Sequence, residues 1–406
     1  MILHRSKIVG SIATLLSGSV VAQGMTALAL LLTARQLKVD GYGQYAACIS
    51  ITSMLAILFS LGLDVWLLRE GGRTPSKIAE LASSVLSIKA FFGLVWMLVL
   101  WILAPLFNQQ SFPTSLLRWS VILIWSDTLL ATSLTVFKAS LNNKIPSILE
   151  AAADTIWFGC TLLLMSYGLK QPEDYLRIRV IVSLLALALT LFLLVRRFGL
   201  HYDLPLTIRA LHESFPFSAS EFLANITMRA DVVIISVTLG KTATGLYSPA
   251  VGLVNMAFLV PLAVHLVMVP VLSNLHQNHP QQARKTARHT IFLSLLLGIG
   301  LTLLYYIGSP LIIPLLGPSY AGSVAILQIL SWLLLFKCGS YAMAAILVAT
   351  DQQVKRSSIQ VIAAISNIVL NLLVVFWLGI KGVAFVYVIT EVILFAGYTW
   401  LVVRKK

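Results

Sequence analysis

Apolar runs of about 20 residues recur along the whole chain, and each is long enough to cross a ~30 Å hydrocarbon core as a helix. The runs are continuous and do not alternate between apolar and polar residues, which excludes a transmembrane β-barrel. Helices satisfy every backbone amide within one segment, as a lipid environment requires. Only 11% of the 406 residues are charged, too few to cover the surface of a soluble protein. The chain is therefore predicted to be an all-α polytopic membrane protein.

Breaks between the apolar runs divide the chain into twelve predicted spans. Most breaks are short and carry glycine, proline or charged residues, such as KVDGYG from Lys38 and REGGRTPSK from Arg69. Two breaks, after the sixth and the eighth span, are longer and basic. The spans are predicted at residues 10–34, 43–68, 82–104, 116–138, 148–169, 178–196, 215–239, 246–273, 289–308, 321–349, 357–378 and 382–403.

Basic residues are distributed unequally over the two sides of these spans. If the N-terminus is cytoplasmic, 18 Lys and Arg residues lie on the cytoplasmic side and 8 on the outer side. Cytoplasmic loops of membrane proteins carry the excess of Lys and Arg, so both termini are predicted to be cytoplasmic. The formal net charge of +14 then follows mainly from orientation and from contact with anionic lipid, and it requires no nucleic-acid partner.

The two halves of the chain resemble each other. LKVDGYGQYAACIS from Leu37 and LGKTATGLYSPAVG from Leu239 share Leu, Gly and Tyr at an offset of 202 residues, and Gly168 weakly matches Gly379. Each half holds six spans, so the halves have the same orientation and a pseudo-twofold axis along the membrane normal. We therefore predict two six-helix lobes with a central cavity, namely an N-terminal lobe at 1–196, a cytoplasmic linker at 197–214 and a C-terminal lobe at 215–406.

The sequence predicts no enzyme, metal site or cofactor. The loops are too short for a nucleotide-sugar domain, and there is no glycine-rich phosphate loop and no nucleophile–base set. Cys48, Cys160 and Cys338 lie in three apolar runs without metal-ligand or disulfide spacing, and they are predicted to pack as small hydrophobes. The basic start MILHRSKIVG continues into a full apolar span, so we expect a retained first helix and no cleaved signal.

Ionisable residues inside the spans are the candidate functional residues. Each costs about 2.5–3.5 kcal/mol at mid-bilayer on insertion scales, so such residues face the bundle interior or a wet cavity. Carboxylates inside the spans outnumber cations. The central residues are Arg229, Asp231, Lys337, Asp127 and Glu391, whereas Asp64, Lys89, Asp154 and Glu221 lie nearer the cytoplasmic end.

Arg229 and Asp231 lie near the middle of the seventh span, about 200° apart around a helix, so they cannot pair with each other. Arg229 shares a face with Asn225, and this polar stripe predicts that Arg229 points into the cavity and binds an anionic group. An interhelical ion pair is the alternative for both residues. Asp231 projects to another side and is predicted to lock the helix to a neighbour or to carry a coupling ion.

Two interpretations stay open for the other intramembrane charges. Lys337 either faces the cavity or pairs with a carboxylate such as Glu391. Lys89 either snorkels to the cytoplasmic edge or binds substrate. Arg69 and Asp64 either organise the end of the second span or bind substrate. The substrate-binding candidates are thus Arg229, Lys337, Asn225, Lys89 and Arg69, and the candidates for ion coupling or an interhelical lock are Asp231, Asp127, Glu391, Asp64 and Glu221.

Two further features concern helix shape and packing. Pro261 and Pro270 in the eighth span predict a kink that could serve as a hinge, with His265 between them packed and neutral. The polar side chains Gln360, Asn367 and Asn371 follow one stripe of the eleventh span and predict interhelical hydrogen bonds.

Five stretches together resemble the Wzx-type polysaccharide flippases, the O-antigen and capsule transporters of the multidrug/oligosaccharidyl-lipid/polysaccharide exporter superfamily. They are ARQLKVDGYGQYAACIS, FSLGLDVWLLRE, RADVVIISVTLGKTATGLYSPAVGLV, PLLGPSYAGSVAILQIL and ISNIVLNLLVVFWLGIKGVAFVYVITE. Their order and spacing carry the resemblance, since no single motif is specific. The resemblance implies twelve helices in two lobes and a cavity with cationic groups, for which Arg229 fits best. This chain is shorter in its loops and termini than the family.

The resemblance implies a flippase that moves an undecaprenyl-pyrophosphate-linked O-antigen, capsule or exopolysaccharide unit to the outer leaflet of the bacterial inner membrane. Alternating access is the expected mechanism. The expected partners are the lipid-linked glycan and the lipid bilayer, with polysaccharide polymerase machinery as a further candidate. The alternative is a cation-coupled drug or cation antiporter of the same superfamily, which the excess of intramembrane carboxylates favours.

Overall fold

A computed structural model shows that the protein is all-α, as its continuous apolar runs predict. No strand occurs among the residues that the structure describes. The backbone is described for residues 2–140, 142–199 and 201–404, and within these ranges the side chains are described except at residues 2–17, 19, 216, 219–221, 223, 224, 226 and 227.

The helices of the described chain follow one another with short connections. Their bounds are α1 (Ile2–Leu55), α2 (Ile57–Ser60), α3 (Leu63–Arg73), α4 (Ile78–Leu103), α5 (Thr114–Ala139), α6 (Lys144–Ser166), α7 (Pro172–Phe198), α8 (Leu204–Thr238), α9 (Gly240–Ala257), α10 (Leu259–Asn278), α11 (Pro280–Gly308), α12 (Ile312–Leu316), α13 (Ala321–Ala349) and α14 (Gln353–Val403).

Nine helical segments within the described ranges are long and apolar enough to cross a membrane. Two of them, Val20–Ser60 and Gln353–Val403, contain one residue with non-helical angles each, Lys38 and Gly379, and comprise two spans each. Helix α8 contains the predicted seventh span. Ten of the twelve predicted spans therefore correspond to a helix or to one arm of a cornered helix, whereas the second and the eighth are each divided between consecutive helices.

Several predicted loops are corners made by a single residue. Lys38 has a φ of 55°, Gly240 a φ of 82° and Gly379 a φ of 57°, in the left-handed region that glycine adopts most easily. One residue in this conformation ends a helical run, and the next helix begins at once. The connections KVDGYG, GKTATG and GIKG are therefore shorter than predicted, because most of their residues are helical.

The internal repeat is visible in the backbone. Lys38 and Gly240, which both have a positive φ, lie 202 residues apart, and Gly168 has a φ of 70° where its counterpart Gly379 has 57°. Helix α4 begins at Ile78 and α11 begins at Pro280, again 202 residues later. Equivalent positions in the two halves therefore turn and restart the chain in the same way.

The chain forms two compact units, Met1–Asn225 and Ile226–Lys406. The segment predicted as the linker, 197–214, belongs to the first unit, and part of it is helical because α8 begins at Leu204. The amide of His201 donates a hydrogen bond to Ser83 Oγ at 3.0 Å, and Thr207 Oγ1 donates to Ser84 Oγ at 3.1 Å. The linker segment therefore covers the beginning of α4. The lobe boundaries at 196 and 215 stay a prediction.

In the second unit, α13 supplies many of the buried side chains. Small residues allow neighbouring helices to approach it closely, as is usual in membrane proteins. A Cβ atom added to Gly298 of α11 would lie 3.0 Å from the Leu335 Cα atom. A Cβ atom on Gly339 would collide with the ring of Phe395 on α14.

Candidate functional site

The first unit contains a cavity of about 290 Å³ beside α5, α6 and α7. Its charged lining comes from all three helices, with Asp127 and Lys138 on α5, Glu150 and Asp154 on α6, and Arg179 on α7. Charged side chains at membrane depth are costly and concentrate where a protein binds or moves polar groups. This cavity is therefore the leading candidate site in the first unit.

Arg179 lies against two carboxylates and an indole ring. Its Nη1 atom is 3.8 Å from Asp154 Oδ1 and its Nη2 atom is 3.9 Å from Asp127 Oδ2. The guanidinium carbon lies 3.7 Å from the ring centroid of Trp157, in cation–π contact. Direct charged hydrogen bonds are shorter, about 2.7–2.9 Å. Both pairs are thus loose, and the guanidinium forms no hydrogen bond with the side chains that the structure describes.

The carboxylates that line the cavity have different partners. Ser183 on α7 donates a hydrogen bond to Asp127 Oδ1 at 2.5 Å. Lys138 Nζ lies 2.8 Å from Glu150 Oε1, in a direct ion pair whose two side chains are about a third exposed. Glu150 is therefore neutralised by a close cation, whereas Asp127 and Asp154 share one distant guanidinium.

Arg179 is the functional candidate that sequence reasoning missed. It was counted among the basic residues on the outer side, because the sixth span was predicted to begin only at residue 178. Helix α7 begins at Pro172, a residue favoured at the first helical position, so Arg179 lies two turns inside the helix. The proline was the signal that could have placed it.

Lys89 forms a buried cluster with Asp64 and Thr132, so of its two interpretations the one in which it snorkels is wrong. Its side chain is 0% exposed, and its Nζ atom lies 2.7 Å from Asp64 Oδ2 and 3.0 Å from Thr132 Oγ1. Thr132 Oγ1 also donates to Asp64 Oδ1 at 2.7 Å. A buried ammonium needs close partners of this kind, because an uncompensated charge in the interior is strongly destabilising.

The cluster lies beside an interruption of the second span. Leu61 and Gly62 have φ values of 51° and 67°, which end α2 and start α3. Asp64 is in the first turn of α3, where a carboxylate is favoured by the helix dipole. The span predicted at 43–68 is therefore not continuous, because it extends over the end of α1, the whole of α2 and the beginning of α3.

Arg69 lies at the exposed end of α3. Its guanidinium is 5.7 Å from the ring centroid of Phe217, and its Nε atom is 3.9 Å from Glu70. On the same surface, Glu213 accepts hydrogen bonds from Arg209 at 2.7 Å and from the Trp66 indole at 3.1 Å. These bonds hold the pKa of the Glu213 carboxyl below its ordinary value. This geometry ties the linker segment to α3.

Asp231 and Arg229 occupy different environments in the second unit. Asp231 is buried and accepts hydrogen bonds from the Tyr247 hydroxyl at 2.7 Å and from the Val232 amide at 2.8 Å. The Tyr247 bond connects α8 to α9. Arg229 is half-buried, and no ion pair joins it to Asp231. Asn225 is also half-buried, and the side chain of Glu221 lies outside the described residues.

Lys337 and Glu391 form an ion pair between α13 and α14. Lys337 Nζ lies 2.9 Å from Glu391 Oε2, and it also lies 5.0 Å from the Phe258 ring centroid and 5.8 Å from that of Tyr341. Of the two interpretations for Lys337, this geometry is that of the ion pair. The second carboxylate oxygen of Glu391 is buried without a hydrogen-bond partner among the described atoms.

The two arms of α14 are joined by amide and hydroxyl groups. Asn367 Nδ2 donates to Thr390 Oγ1 at 3.1 Å, and Asn371 Nδ2 donates to Asn367 Oδ1 at 3.1 Å. Because Gly379 lies between Asn367 and Thr390 in sequence, the first bond crosses from the eleventh to the twelfth span, whereas the second joins two residues of the eleventh span. The Asn367–Thr390 bond is an interhelical hydrogen bond of the kind the polar stripe predicts.

The predicted hinge lies next to a real interruption. Helix α9 ends at Ala257 and α10 begins at Leu259, so the break precedes Pro261 by three residues. A proline lacks the amide that would continue the preceding turn, which accounts for the break. Pro270 lies inside α10 and does not end it. His265 is packed against Tyr341, with its Nδ1 atom 3.1 Å from the carbonyl oxygen. The hinge role stays a prediction.

Comparison with protein-family models gives the family. The model described as "polysaccharide biosynthesis protein" matches residues 8–276, well over half of the chain. The chain belongs to this polysaccharide biosynthesis family. The model named MatE matches residues 216–377. The family match confirms the resemblance found in the sequence. No curated protein gives a significant match.

Solved structures share the fold at low sequence identity. An inward-facing multidrug resistance MATE transporter of the MOP superfamily is 12% identical with a TM-score of 0.75, over 94% of both chains. The lipid II flippase MurJ, in an inward closed conformation, is 16% identical with a TM-score of 0.77, over 95% of this chain and 86% of its own.

A MOP superfamily transporter from Pyrococcus furiosus is 11% identical with a TM-score of 0.68, over 97% of this chain and 95% of its own. At these identities the likeness extends to the fold alone, since one fold hosts different functions. The polysaccharide biosynthesis family member thus has the helical fold of these transporters over nearly its whole length.

Proposed function

We propose that this protein is a flippase that moves an undecaprenyl-pyrophosphate-linked oligosaccharide from the cytoplasmic to the outer leaflet of a bacterial inner membrane. Both termini are cytoplasmic in this proposal, and alternating access carries the polar head group while the prenyl chain stays in lipid. No covalent chemistry is needed. Polysaccharide polymerase machinery is the proposed downstream partner.

The family match over residues 8–276 is the observation that carries this proposal. Two features of the structure support it. Arg179 presents a stacked guanidinium to a cavity while its nearest carboxylates are 3.8 and 3.9 Å away. A guanidinium binds phosphate oxygens in a planar, bidentate arrangement that a lysine does not match. The fold shared with MurJ, named a lipid II flippase, is the second support.

The remaining candidate residues have proposed roles that follow their contacts. Arg229 and Asn225 are proposed to contact the pyrophosphate-linked head group. Lys337 and Lys89 are proposed to act mainly through their carboxylate partners, and Arg69 at the cytoplasmic entrance. The proposed locks or ion-coupling groups are Asp231, Asp127, Glu391, Asp64 and Glu221.

A complementation experiment tests the proposal and the part of Arg229. Deletion of the gene should abolish the surface polysaccharide and cause the lipid-linked precursor to accumulate, and the native gene should restore export. Arg229→Ala should fail to restore export at normal membrane levels, whereas Arg229→Lys, which keeps the charge, should restore part of it. Normal export by Arg229→Ala would remove this residue from the mechanism.

A cation-coupled antiporter is the second candidate, because the MatE model matches residues 216–377 and MATE transporters share the fold. Buried carboxylates such as Asp231 and Glu391 suit a cationic substrate or a coupling ion. The deletion strain distinguishes the two functions. Unchanged polysaccharide together with new sensitivity to cationic drugs would support the antiporter and contradict the flippase.

A further inference from the structure

The first three turns of α11 carry a group of exposed cations that we call the basic stripe, defined by Arg284, Lys285, Arg288 and His289. These side chains, with Gln281 and Phe292, line a shallow depression of about 600 Å³. Residues three and four apart share one face of a helix, so the stripe forms one continuous surface. It lies outside the candidate site described above.

The basic stripe has no acidic partner within the described part of the chain. No ion pair and no side-chain hydrogen bond among the described residues involves Arg284, Lys285 or Arg288. The sequence itself contains no Asp or Glu between Asp231 and Asp351. The stripe is therefore an exposed positive surface on which an anion from outside the protein can bind.

The internal repeat shows what is unusual about this surface. At the offset of 202 residues, Arg284 corresponds to Ala82 and Lys285 to Ser83 at the beginning of α4. Ala82 and Ser83 are buried, and the linker segment covers them through the His201 amide bond to Ser83 and through Ala210. The equivalent part of α11 is exposed and basic.

An apolar face continues directly from the basic stripe along α11. Phe292, Leu296, Ile299 and Leu303 follow at spacings of three and four residues, and each is between 46% and 63% exposed. This is the surface that a transmembrane helix presents to acyl chains. One side of α11 thus has a cationic surface followed by an apolar surface. A phospholipid has its phosphate and its acyl chains in the same order.

We propose that the basic stripe and the apolar face below it bind an anionic glycerophospholipid of the bilayer, with its phosphate on Arg284, Lys285 and Arg288. Each basic residue near a membrane surface contributes about 1 kcal/mol, or roughly fivefold, to binding of an acidic lipid. The lipid provides a counter-charge for the stripe. It also covers the part of α11 that is equivalent to the part of α4 covered by the linker segment. This inference does not depend on the proposed transport function.

Lipid retention by the purified full-length protein tests the proposal. The protein is reconstituted in mixed vesicles of phosphatidylethanolamine and phosphatidylglycerol, extracted and washed, and its retained lipids are quantified by mass spectrometry. The native protein should be enriched in phosphatidylglycerol. The variant R284Q/K285Q/R288Q should lose this enrichment by at least about tenfold.

A matched control removes the same charge elsewhere. Lys77, Lys144 and Lys355 are exposed, so K77Q/K144Q/K355Q should retain phosphatidylglycerol as the native protein does. Equal losses in both triple variants would mean a general charge effect and overturn the proposal. If the stripe variant is poorly produced, R284Q and R288Q singly should each cost about fivefold.

Two further arms identify the source of the anion. Phe292→Ser should lower phosphatidylglycerol retention, because it removes part of the acyl-chain surface, and inorganic phosphate should not compete for the site. Full competition by inorganic phosphate would assign the stripe to a free anion and overturn the proposal. A dimer that dissociates in the stripe variant with unchanged lipid retention would assign the surface to a second copy of the chain and equally overturn it.

Discussion

At the scale of single residues, the cluster of Lys89, Asp64 and Thr132 shows how a charge is accommodated inside a helical unit. Lys89 is fully buried, and its ion pair with Asp64 spans 2.7 Å. Replacing Asp64 by Asn leaves the ammonium without its counter-charge, and breaking a buried pair in this way costs about 3–5 kcal/mol. Thermal unfolding of the purified Asp64→Asn variant in detergent should show a loss at the lower end of this range.

Glu150→Gln is the matched control for this prediction. Its partner Lys138 is 30% exposed and Glu150 is 27% exposed, so water replaces the lost interaction and the cost should stay below about 1 kcal/mol. The double variant D64N/K89M should recover part of the stability lost by Asp64→Asn alone, because no unpaired charge is left. Equal losses in Asp64→Asn and Glu150→Gln would contradict the account of the cluster.

Which residues bear charge inside the spans was predictable, whereas most of their partners were not. The sequence identified Asp64, Lys89 and Lys337 as intramembrane residues and named Glu391 as a candidate partner of Lys337, but neither interpretation of Lys89, snorkelling or substrate binding, included its pair with Asp64. Pairing depends on which helices are neighbours and on where a helix breaks, and the break at Leu61 and Gly62 has no periodic signal. Arg179 was missed because the beginning of its span was placed six residues late.

At the scale of secondary structure elements, Gly62 is the point at which the broken second span packs closely against α8. It has a φ of 67°, and a Cβ atom there would lie 2.5 Å from the Ser218 amide nitrogen and 2.7 Å from the Phe217 carbonyl carbon. Gly62→Ala should therefore lower the free energy of unfolding by about 1–3 kcal/mol, from backbone strain and from displacement of α8. Thermal unfolding in detergent measures the effect.

Gly72 provides the control on the neighbouring helix. It lies in α3, and a Cβ atom there would meet nothing within 4 Å. Gly72→Ala should be neutral or slightly stabilising, because alanine is the better helix former by up to about 1 kcal/mol. A Gly62→Ala variant as stable as Gly72→Ala would show that α8 does not depend on this close approach.

Helices were largely predictable at this scale, and connections were not. Hydropathy placed all twelve spans, because burial in lipid demands about 20 consecutive apolar residues. It did not show that Lys38 and Gly379 turn the chain within one residue, or that part of 197–214 is a helix packed on α3 and α4. Corners and amphipathic surface helices depend on single dihedral angles and on neighbours that a hydropathy pattern does not contain.

At the scale of the whole molecule, the chain is a family member whose two halves reuse one helical plan. Equivalent corners at Lys38 and Gly240 and equivalent helix starts at Ile78 and Pro280 preserve this plan. The charged residues inside the spans are not repeated between the halves, since the counterparts of Arg229 and Asp231 are Ala27 and Ala29. The repeat therefore accounts for the architecture, and the departures from it are where specific function is to be sought.

The central claim is that the protein transfers a lipid-linked oligosaccharide across a bilayer, and purified protein in vesicles tests it most directly. A fluorescent undecaprenyl-pyrophosphate-linked oligosaccharide is placed in the membrane, and a membrane-impermeant glycosidase reports how much of it reaches the outer surface. Native protein should increase this fraction over protein-free vesicles. Arg179→Ala should abolish most of the increase, because it removes the cavity guanidinium, and Arg177→Ala should not, since its side chain is 51% exposed.

Vesicles in which the native protein leaves the glycosidase-accessible fraction unchanged, yet expels a cationic dye when an ion gradient is imposed, would contradict the flippase.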